Sequence, residues 1–171
     1  MVVELIEANG GSADNVVQNR LQSLYNRYGE FVSYNSYVIS HDPKVTDGIF
    51  ARLRTSGGNN GGGNGYWTEC AGSAITAIKD ITLGYDSTAV EGDDSSRLPS
   101  TPDSHMIMFE FSNGCSVTLR TSGTEPKIKF YTEIAGAVGQ DRASIKDTLY
   151  TFIDNLVNEM LQPDVHGLSR A

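Results

Sequence analysis

The chain has 171 residues, a formal net charge of −8 and two cysteines. This length suits one domain, or one domain with part of another. An acidic balance argues against general binding to nucleic acids or acidic membranes, which need a broad basic surface. The sequence has no apolar run near the roughly 20 residues that span a bilayer, and no secretory apolar segment follows Met1. We therefore expect a cytoplasmic protein whose partners include no nucleic acid and no membrane.

The cysteines and histidines predict neither a disulfide nor a metal site. Cys70 and Cys115 lie far apart and form no CxxC pair, so they are expected to be reduced thiols. His41, His105 and His166 are scattered, with no second ligand at helical or zinc-finger spacing. No metal ion or other cofactor is therefore expected in this chain itself.

The first part of the chain predicts a helix followed by a strand. Apolar residues recur at three- and four-residue steps up to Tyr28, and Asp14 or Asn15 can cap the helix start. The segment EFVSYNSYVIS, residues 30–40, is rich in β-branched and aromatic residues and predicts a strand. The apolar face of the helix would consist of Val17, Leu21, Leu24, Tyr25 and Tyr28.

A second helix is predicted from the segment HDPKVTDGIFARLR, residues 41–54. Asp42 is a good N-cap, and Pro43 fits the first helical position because its missing N–H is not needed there. Nearly every residue from 57 to 65 is Gly or Asn. Such a run has little to bury and predicts a flexible surface loop.

The rest of the chain predicts four strands and a last helix over residues 143–161 that ends before Pro163. A polar loop, residues 89–104, separates the first two of these strands. Hairpin-linked strands predict an α+β domain with a mainly antiparallel sheet and two helices, residues 41–54 and 143–161, packed on one face. The strand segments are SAITAIKDITLGYD, HMIMFEFSNG, CSVTLR and KIKFYTEIAG.

The tetrapeptide RTSG occurs twice, at residues 54–57 and 120–123. Around the second copy, VTLR and IKFY alternate as strands do, so residues 121–126 are predicted to form a short, rigid connector between paired strands. Gly123 can present its amide with no side chain in the way. Ser122 and Thr124 offer hydroxyl donors, and successive backbone N–H groups can form a nest for an anion.

Positive side chains flank this connector. Arg120 can hold phosphate oxygens through two N–H groups, and Lys127 and Lys129 point to the same face of their strand. This set of donors suits a phosphate dianion better than a carboxylate. The alternative is an ordinary β-hairpin whose Ser and Thr side chains satisfy the hydrogen bonds of their own turn.

The first RTSG copy is a weaker candidate. Arg54 ends a predicted helix, where the helix dipole favours a cation. The Gly/Asn loop that follows would have to become ordered around a ligand, at about 1–2 kcal/mol per residue. We expect no phosphate site here, and we expect Arg54→Ala to leave phosphate binding and turnover unchanged.

The segment RTSGTEPKIKFYTE, residues 120–133, closely resembles the C-terminal phosphate-binding motif of the α-D-phosphohexomutase superfamily. Two further segments, residues 24–42 and 77–87, resemble the branch that contains phosphopentomutases, type-2 phosphoglucomutases and glucose-1,6-bisphosphate synthases. The resemblance runs from about Gln22 to the final helix. It implies the TATA-box-binding-protein-like fold of the C-terminal domain in these enzymes.

In this family four domains surround a cleft, and the fourth holds the distal phosphate of the substrate. The resemblance implies that residues 1–30 are the helical tail of the preceding domain and residues 31–171 the C-terminal phosphate-binding domain. The substrate phosphate would contact Arg120, Ser122, Thr124 and Lys129, with support from the Gly123 amide. Lys129 stands where many members have arginine, which removes a bidentate contact.

Other parts of the family pattern are missing. The sequence has no serine in a TASHNP-like setting and no DxDxD carboxylate loop, and VEGDDSS, residues 90–96, lies in the wrong place for either family loop. The resemblance therefore implies one domain of a phosphosugar mutase that is inactive alone, with Mg²⁺ expected in the parent enzyme. The expected partners are a phosphosugar, whose identity stays open, and the other domains of the parent. The alternatives are a stand-alone anion-binding or regulatory module and a purely structural domain.

Overall fold

The computed structural model describes residues 2–8, 10–11, 14–55, 65–89 and 100–171. Residues 57–64 of the predicted Gly/Asn loop and residues 90–99 of the predicted polar loop lie outside this part of the chain. The helices are α1 (Val2–Ala8), α2 (Val16–Tyr28), α3 (Pro43–Thr55), α4 (Arg142–Leu156) with a π-helical turn (Val157–Leu161), and α5 (Pro163–His166). The strands are β1 (Phe31–Ile39), β2 (Glu69–Cys70), β3 (Ser73–Asp80), β4 (Tyr85–Asp86), β5 (Met106–Phe111), β6 (Cys115–Thr121), β7 (Lys127–Ala135) and β8 (Ser169–Arg170).

The strands form one antiparallel sheet, and the predicted α+β fold is confirmed. Among the described residues the strand order is β2-β3-β5-β6-β7-β1-β8, with β4 paired to β3. Every pairing of these strands is antiparallel. The hairpin β6–β7 therefore lies in the middle of the sheet, between β5 and β1, and its connecting loop projects from one end.

One face of the sheet forms the core. In β7 the residues alternate between buried and more exposed, so Ile128 and Phe130 point inward while Lys129 and Tyr131 lie on the opposite face. The inward residues of β1, β5, β6 and β7 join a single cluster with apolar residues of α3 and α4. Both helices thus cover the same face, as predicted, and the other face of the sheet stays open. The helix residues of this cluster include Ile49, Phe50, Leu53, Ile145, Leu149, Phe152 and Leu156.

Helix α2 departs from its prediction. Its predicted apolar face is only partly covered: Val17 is 73% exposed, Leu21 44% and Tyr28 56%, whereas Leu24 and Tyr25 are half-buried. Only Val16 of this helix is buried, and no described α2 residue belongs to the core cluster. Of the two predicted N-cap residues, Asp14 and Asn15, Asn15 is wrong as a side-chain cap, because its backbone is left-handed (φ 56°) and its side chain makes no capping bond. The hydrophobic spacing identified the helix correctly, but it could not show what lies against the apolar face.

The ends of the core helices are set by side-chain caps. The predicted cap of α3 is confirmed, because the Lys44 N–H donates to Asp42 Oδ1 over 2.9 Å. At the start of α4 the Ser144 N–H donates to Asp141 Oδ2 over 3.0 Å. The predicted last helix ends at Leu161 through a π-helical turn, and Pro163 begins the short helix α5. The strand β8 that follows pairs with β1, which the sequence did not indicate.

Both cysteines are free thiols buried in the core, with about 1% of Cys70 and of Cys115 exposed.

Burial raises the pKa of the Cys115 thiol to about 12. The unfolded chain loses that proton near pH 9, so stability is expected to fall as pH rises above about 9, by up to about 1.4 kcal/mol per pH unit for this thiol. Urea unfolding at pH 8 and pH 10 measures the loss. The Cys115→Ala variant should show a smaller loss, and an equal loss would contradict the assignment.

Within the described residues, no helix is both long and apolar enough to cross a membrane.

Candidate phosphate-binding site

Strands β6 and β7 bring two cations face to face. Arg120 on β6 and Lys129 on β7 are direct cross-strand partners, and Tyr37 on β1 lies opposite Lys129 on the next strand. Cross-strand partners project on the same side of a sheet, here the open face. Like charges at such a pair destabilise the hairpin. An anion bound between them would relieve that repulsion.

The connector between these strands is tied at both ends, as the sequence predicted. The Ser122 N–H donates to Lys127 O over 2.9 Å, and the Lys127 N–H donates to Glu125 O over 2.7 Å. The Ser40 N–H, just past β1, donates to Pro126 O over 2.8 Å. The loop at residues 122–126 is therefore held to itself and to the neighbouring strand.

Most donors of this loop have no hydrogen-bond partner in the part of the chain that the structure describes. Across the described ranges, the backbone N–H groups of Gly123, Thr124 and Glu125 and the hydroxyls of Ser122 and Thr124 make no hydrogen bond. The Arg120 guanidinium makes one weak contact, from Nε to Thr121 O at 3.4 Å. The Ser and Thr side chains thus do not satisfy their own turn, which argues against an ordinary hairpin. They remain available to a ligand.

Gly123 leaves open space at the tip of the loop. A Cβ built on Gly123 would meet no atom within 4 Å, and the backbone there is not left-handed. The fold itself therefore does not require glycine at this position. The open space agrees with the predicted role of Gly123, in which a ligand approaches the amide directly.

One carboxylate lies among the cations. Glu125 Oε1 is 2.9 Å from Lys127 Nζ, and Glu125 Oε2 is 3.9 Å from Lys129 Nζ. The hydrogen bond from Lys127 holds the pKa of Glu125 below its usual value, and the same bond raises the pKa of Lys127. Lys127 Nζ also lies 4.2 Å from the centroid of the Tyr37 ring. Glu125 was not among the predicted site residues, although its spacing of two and four residues from the lysines was a usable signal.

A cleft of about 530 Å³ adjoins the loop on the side of helix α3. Its lining includes Ser122 but not Arg120, Gly123, Thr124 or Lys129. Of the five predicted site residues, only Ser122 lines this cleft. Arg120 and Lys129 lie on the open sheet face, Gly123 and Thr124 at the exposed tip, and Ser122 at the cleft.

The first RTSG copy has a structural role that the sequence did not reveal. Arg54 forms a two-point ion pair with Asp80, from Nε to Oδ2 at 2.6 Å and from Nη2 to Oδ1 at 3.1 Å. The Asp80 side chain is fully buried, and the Tyr66 hydroxyl donates to Asp80 Oδ2 over 2.9 Å. Burial, followed by this hydrogen bond, raises the pKa of Tyr66. Arg54→Ala is therefore unsuited as a control variant for phosphate binding, because this substitution would leave a buried carboxylate without its cation.

Two further residues extend this network. Arg54 Nη1 donates to Nδ1 of His105 over 3.1 Å. Because arginine is only a donor, His105 must carry its proton on Nε2, which donates to Asp47 Oδ1 over 3.0 Å. In the described residues no three His, Cys, Asp or Glu side chains form a group that could hold a metal ion. Arg54 and Asp47 thus hold the His105 ring from its two nitrogen atoms.

Comparison with known proteins identifies relatives of one kind. No protein-family model matches the chain. Glucose 1,6-bisphosphate synthase of Homo sapiens is 40% identical over 153 residues, which cover 89% of this chain and 24% of that protein. Phosphopentomutase of Homo sapiens is 36% identical over the same coverage. Phosphoribomutase of Saccharomyces cerevisiae is 34% identical over 155 residues, which cover 85% of this chain and 24% of the relative.

These relatives are enzymes of phosphosugar metabolism, two of them named as mutases. Over most of its length the chain is homologous to one segment of these enzymes, as the resemblance of residues 120–133 to the α-D-phosphohexomutase superfamily predicted. It spans about a quarter of the length of the curated relatives that it matches.

Proposed function

We propose that the loop between β6 and β7 binds the phosphate group of a phosphosugar. The observation that carries the proposal is the set of unpartnered donors next to the paired cations Arg120 and Lys129. Three backbone N–H groups, two hydroxyls and a guanidinium offer more donors than a carboxylate needs, and they match the three oxygens of a phosphate group. The ligand contacts would come from Arg120, Ser122, Thr124 and Lys129, together with the Gly123 amide.

We further propose that the chain is the C-terminal domain of a phosphosugar mutase. Its match to a quarter of each relative supports a longer parent enzyme. The exposed apolar residues Val17, Leu21 and Tyr28 of α2 support the assignment of residues 1–30 to the preceding domain and of residues 31–171 to the phosphate-binding domain. In the parent, the other domains would supply the reacting groups. Mg²⁺ would bind there too, as the resemblance to these mutases implies.

The proposed role in the reaction is to hold the substrate by the phosphate that is not being transferred. A mutase moves a phosphoryl group between two positions of one sugar, so a bisphosphate intermediate must turn around in the cleft. The loop would then hold first one phosphate and then the other. Charge and hydrogen bonds directed at phosphate alone, without contacts to the sugar, suit that requirement.

The coding sequence upstream of Met1 tests the domain assignment. The proposal expects an open reading frame that continues upstream and encodes a serine in a TASHNP-like loop and an Asp-rich metal loop. An in-frame stop directly upstream of Met1, with no such loops in the gene, would instead favour a stand-alone anion-binding module.

The 171-residue chain alone is expected to show no mutase turnover with glucose 1-phosphate or ribose 1-phosphate, even with Mg²⁺ present. The reason is chemical, because phosphoryl transfer needs a nucleophile and a metal that this chain is not expected to supply. A coupled assay with rigorously purified protein measures it. Turnover that co-purifies with the chain and disappears in Arg120→Ala would show that the chain carries its own catalytic groups.

A further inference from the structure

A carboxylate is unexpected in a loop that binds an anion. Glu125 lies in the middle of the connector, between the hydroxyl residues and the first lysine of β7. Its charge has the same sign as a phosphate group and would repel it over a few ångströms. Its position therefore needs an explanation that the proposed phosphate contacts do not give.

The geometry links this carboxylate to both lysines at once. One oxygen of Glu125 is 2.9 Å from Lys127 Nζ, and the other is 3.9 Å from Lys129 Nζ. Lys129 is also the cross-strand partner of Arg120. Lys129, which is assigned to the phosphate, and its neighbour Lys127 are thus already paired with a charge inside the protein.

The net charge of Arg120, Lys127, Lys129 and Glu125 also matches that of a phosphate dianion with the opposite sign. Three cations, Arg120, Lys127 and Lys129, face one carboxylate, Glu125, so the group carries two net positive charges. A phosphate dianion carries two negative charges. Without Glu125 the group would hold one more positive charge than a single phosphate group neutralises.

We propose that Glu125 is an internal counter-ion of this loop: its carboxylate occupies Lys127 and Lys129 in the empty site and competes with the phosphate group for them. This inference rests on the proposed phosphate site and adds a residue that determines its affinity. Glu125 weakens phosphate binding and, by returning to the lysines, favours release. A mutase would use such release, because its intermediate must leave the loop and rebind by its other phosphate.

The test compares Glu125→Gln with the wild-type chain and with Glu133→Gln. Glu133 is a matched control, since it lies on the same open face of β7, four residues beyond Lys129, which is about 13 Å along the strand. Its cross-strand partners are Ser33 and Ser116. Both substitutions remove one negative charge and keep the side-chain size. Inorganic phosphate is titrated into each 15N-labelled protein at low salt and at a pH where phosphate is a dianion.

Glu125→Gln is expected to bind inorganic phosphate about three- to tenfold more tightly, since a surface ion pair and a like-charge repulsion are both removed. Glu133→Gln should bind within twofold of the wild type. A gain of affinity separates this role from a structural one, because damage to the loop would weaken binding. In the ligand-free Glu125→Gln protein, the pKa of Lys127 should also fall, as followed through its side-chain carbon resonance.

The titrations distinguish failure of the counter-ion role from failure of the phosphate site itself. Equal or weaker binding by Glu125→Gln, with amide shifts still centred on residues 121–129, would overturn the counter-ion role and leave the phosphate site in place. An unchanged titration of Lys127 would also overturn the counter-ion role. Absence of shifts at residues 121–129 in all three proteins would overturn both the phosphate site and this inference.

Discussion

Arg54→Ala is expected to lower the free energy of unfolding by about 3–5 kcal/mol, whereas Arg120→Ala should change it by no more than about 0.5 kcal/mol. The two arginines begin the two RTSG copies, but their surroundings differ. Arg54 pairs with Asp80, whose side chain is fully buried, and its removal leaves that carboxylate without a cation. Arg120 is exposed, and the Arg120→Ala change also removes a like-charge contact with Lys129.

Urea unfolding followed by circular dichroism measures both changes. Asp80→Ala and the double variant Arg54→Ala with Asp80→Ala complete a thermodynamic cycle. If Arg54 mainly neutralises Asp80, the double variant should lose less than the sum of the single losses. A loss below about 1 kcal/mol for Arg54→Ala would contradict the account, since surface ion pairs contribute no more than that.

Arg120→Ala in the intact parent mutase is expected to lower kcat/KM by about 100-fold or more. Charged hydrogen bonds contribute about 1.5–3 kcal/mol each, and Arg120 would make two of them to the phosphate in a closed cleft. Turnover and substrate binding should both suffer, because the phosphate must be held while the sugar reacts. Steady-state kinetics with a sugar phosphate as substrate measure the change.

Arg142→Ala is the matched control for this experiment. Arg142 is an exposed arginine that pairs with Glu30, just before β1 and at the far end of the sheet from the loop. Its removal should leave kcat/KM within about threefold of the wild-type value, as expected for a surface ion pair. Equal losses in the Arg120 and Arg142 variants would mean that the effect comes from general surface charge.

The sheet could be predicted because its central strands obey a simple physical pattern. In β6 and β7 one face is buried and the other open, so apolar and polar residues alternate along each strand. The residue pair Asn113 and Gly114 marks the turn of the hairpin that joins β5 to β6. The strands β2, β4 and β8 have two residues each, too few for any alternation to appear. Their pairings depend on tertiary contacts instead.

The candidate site was predictable to a similar extent. The loop residues are consecutive, and a hairpin places Arg120 beside Lys129 from local pairing alone. By contrast, Asp80, the ion-pair partner of Arg54, is 26 residues away in the sequence, and His105, another member of that network, is 51 residues away. Local sequence carries no record of such contacts, so Arg54 looked like the end of a helix before a loop.

The phosphate loop is tested most directly by titrating inorganic phosphate into the 15N-labelled chain and into its Arg120→Ala variant. In the isolated chain the site is open to water, so binding is expected on the order of millimolar and should weaken as salt is added. The predicted result is a set of saturable amide shifts centred on residues 121–129, which Arg120→Ala abolishes or greatly weakens. Shifts centred on Arg54 with residues 121–129 unmoved, or shifts equal in both proteins, would contradict the assignment.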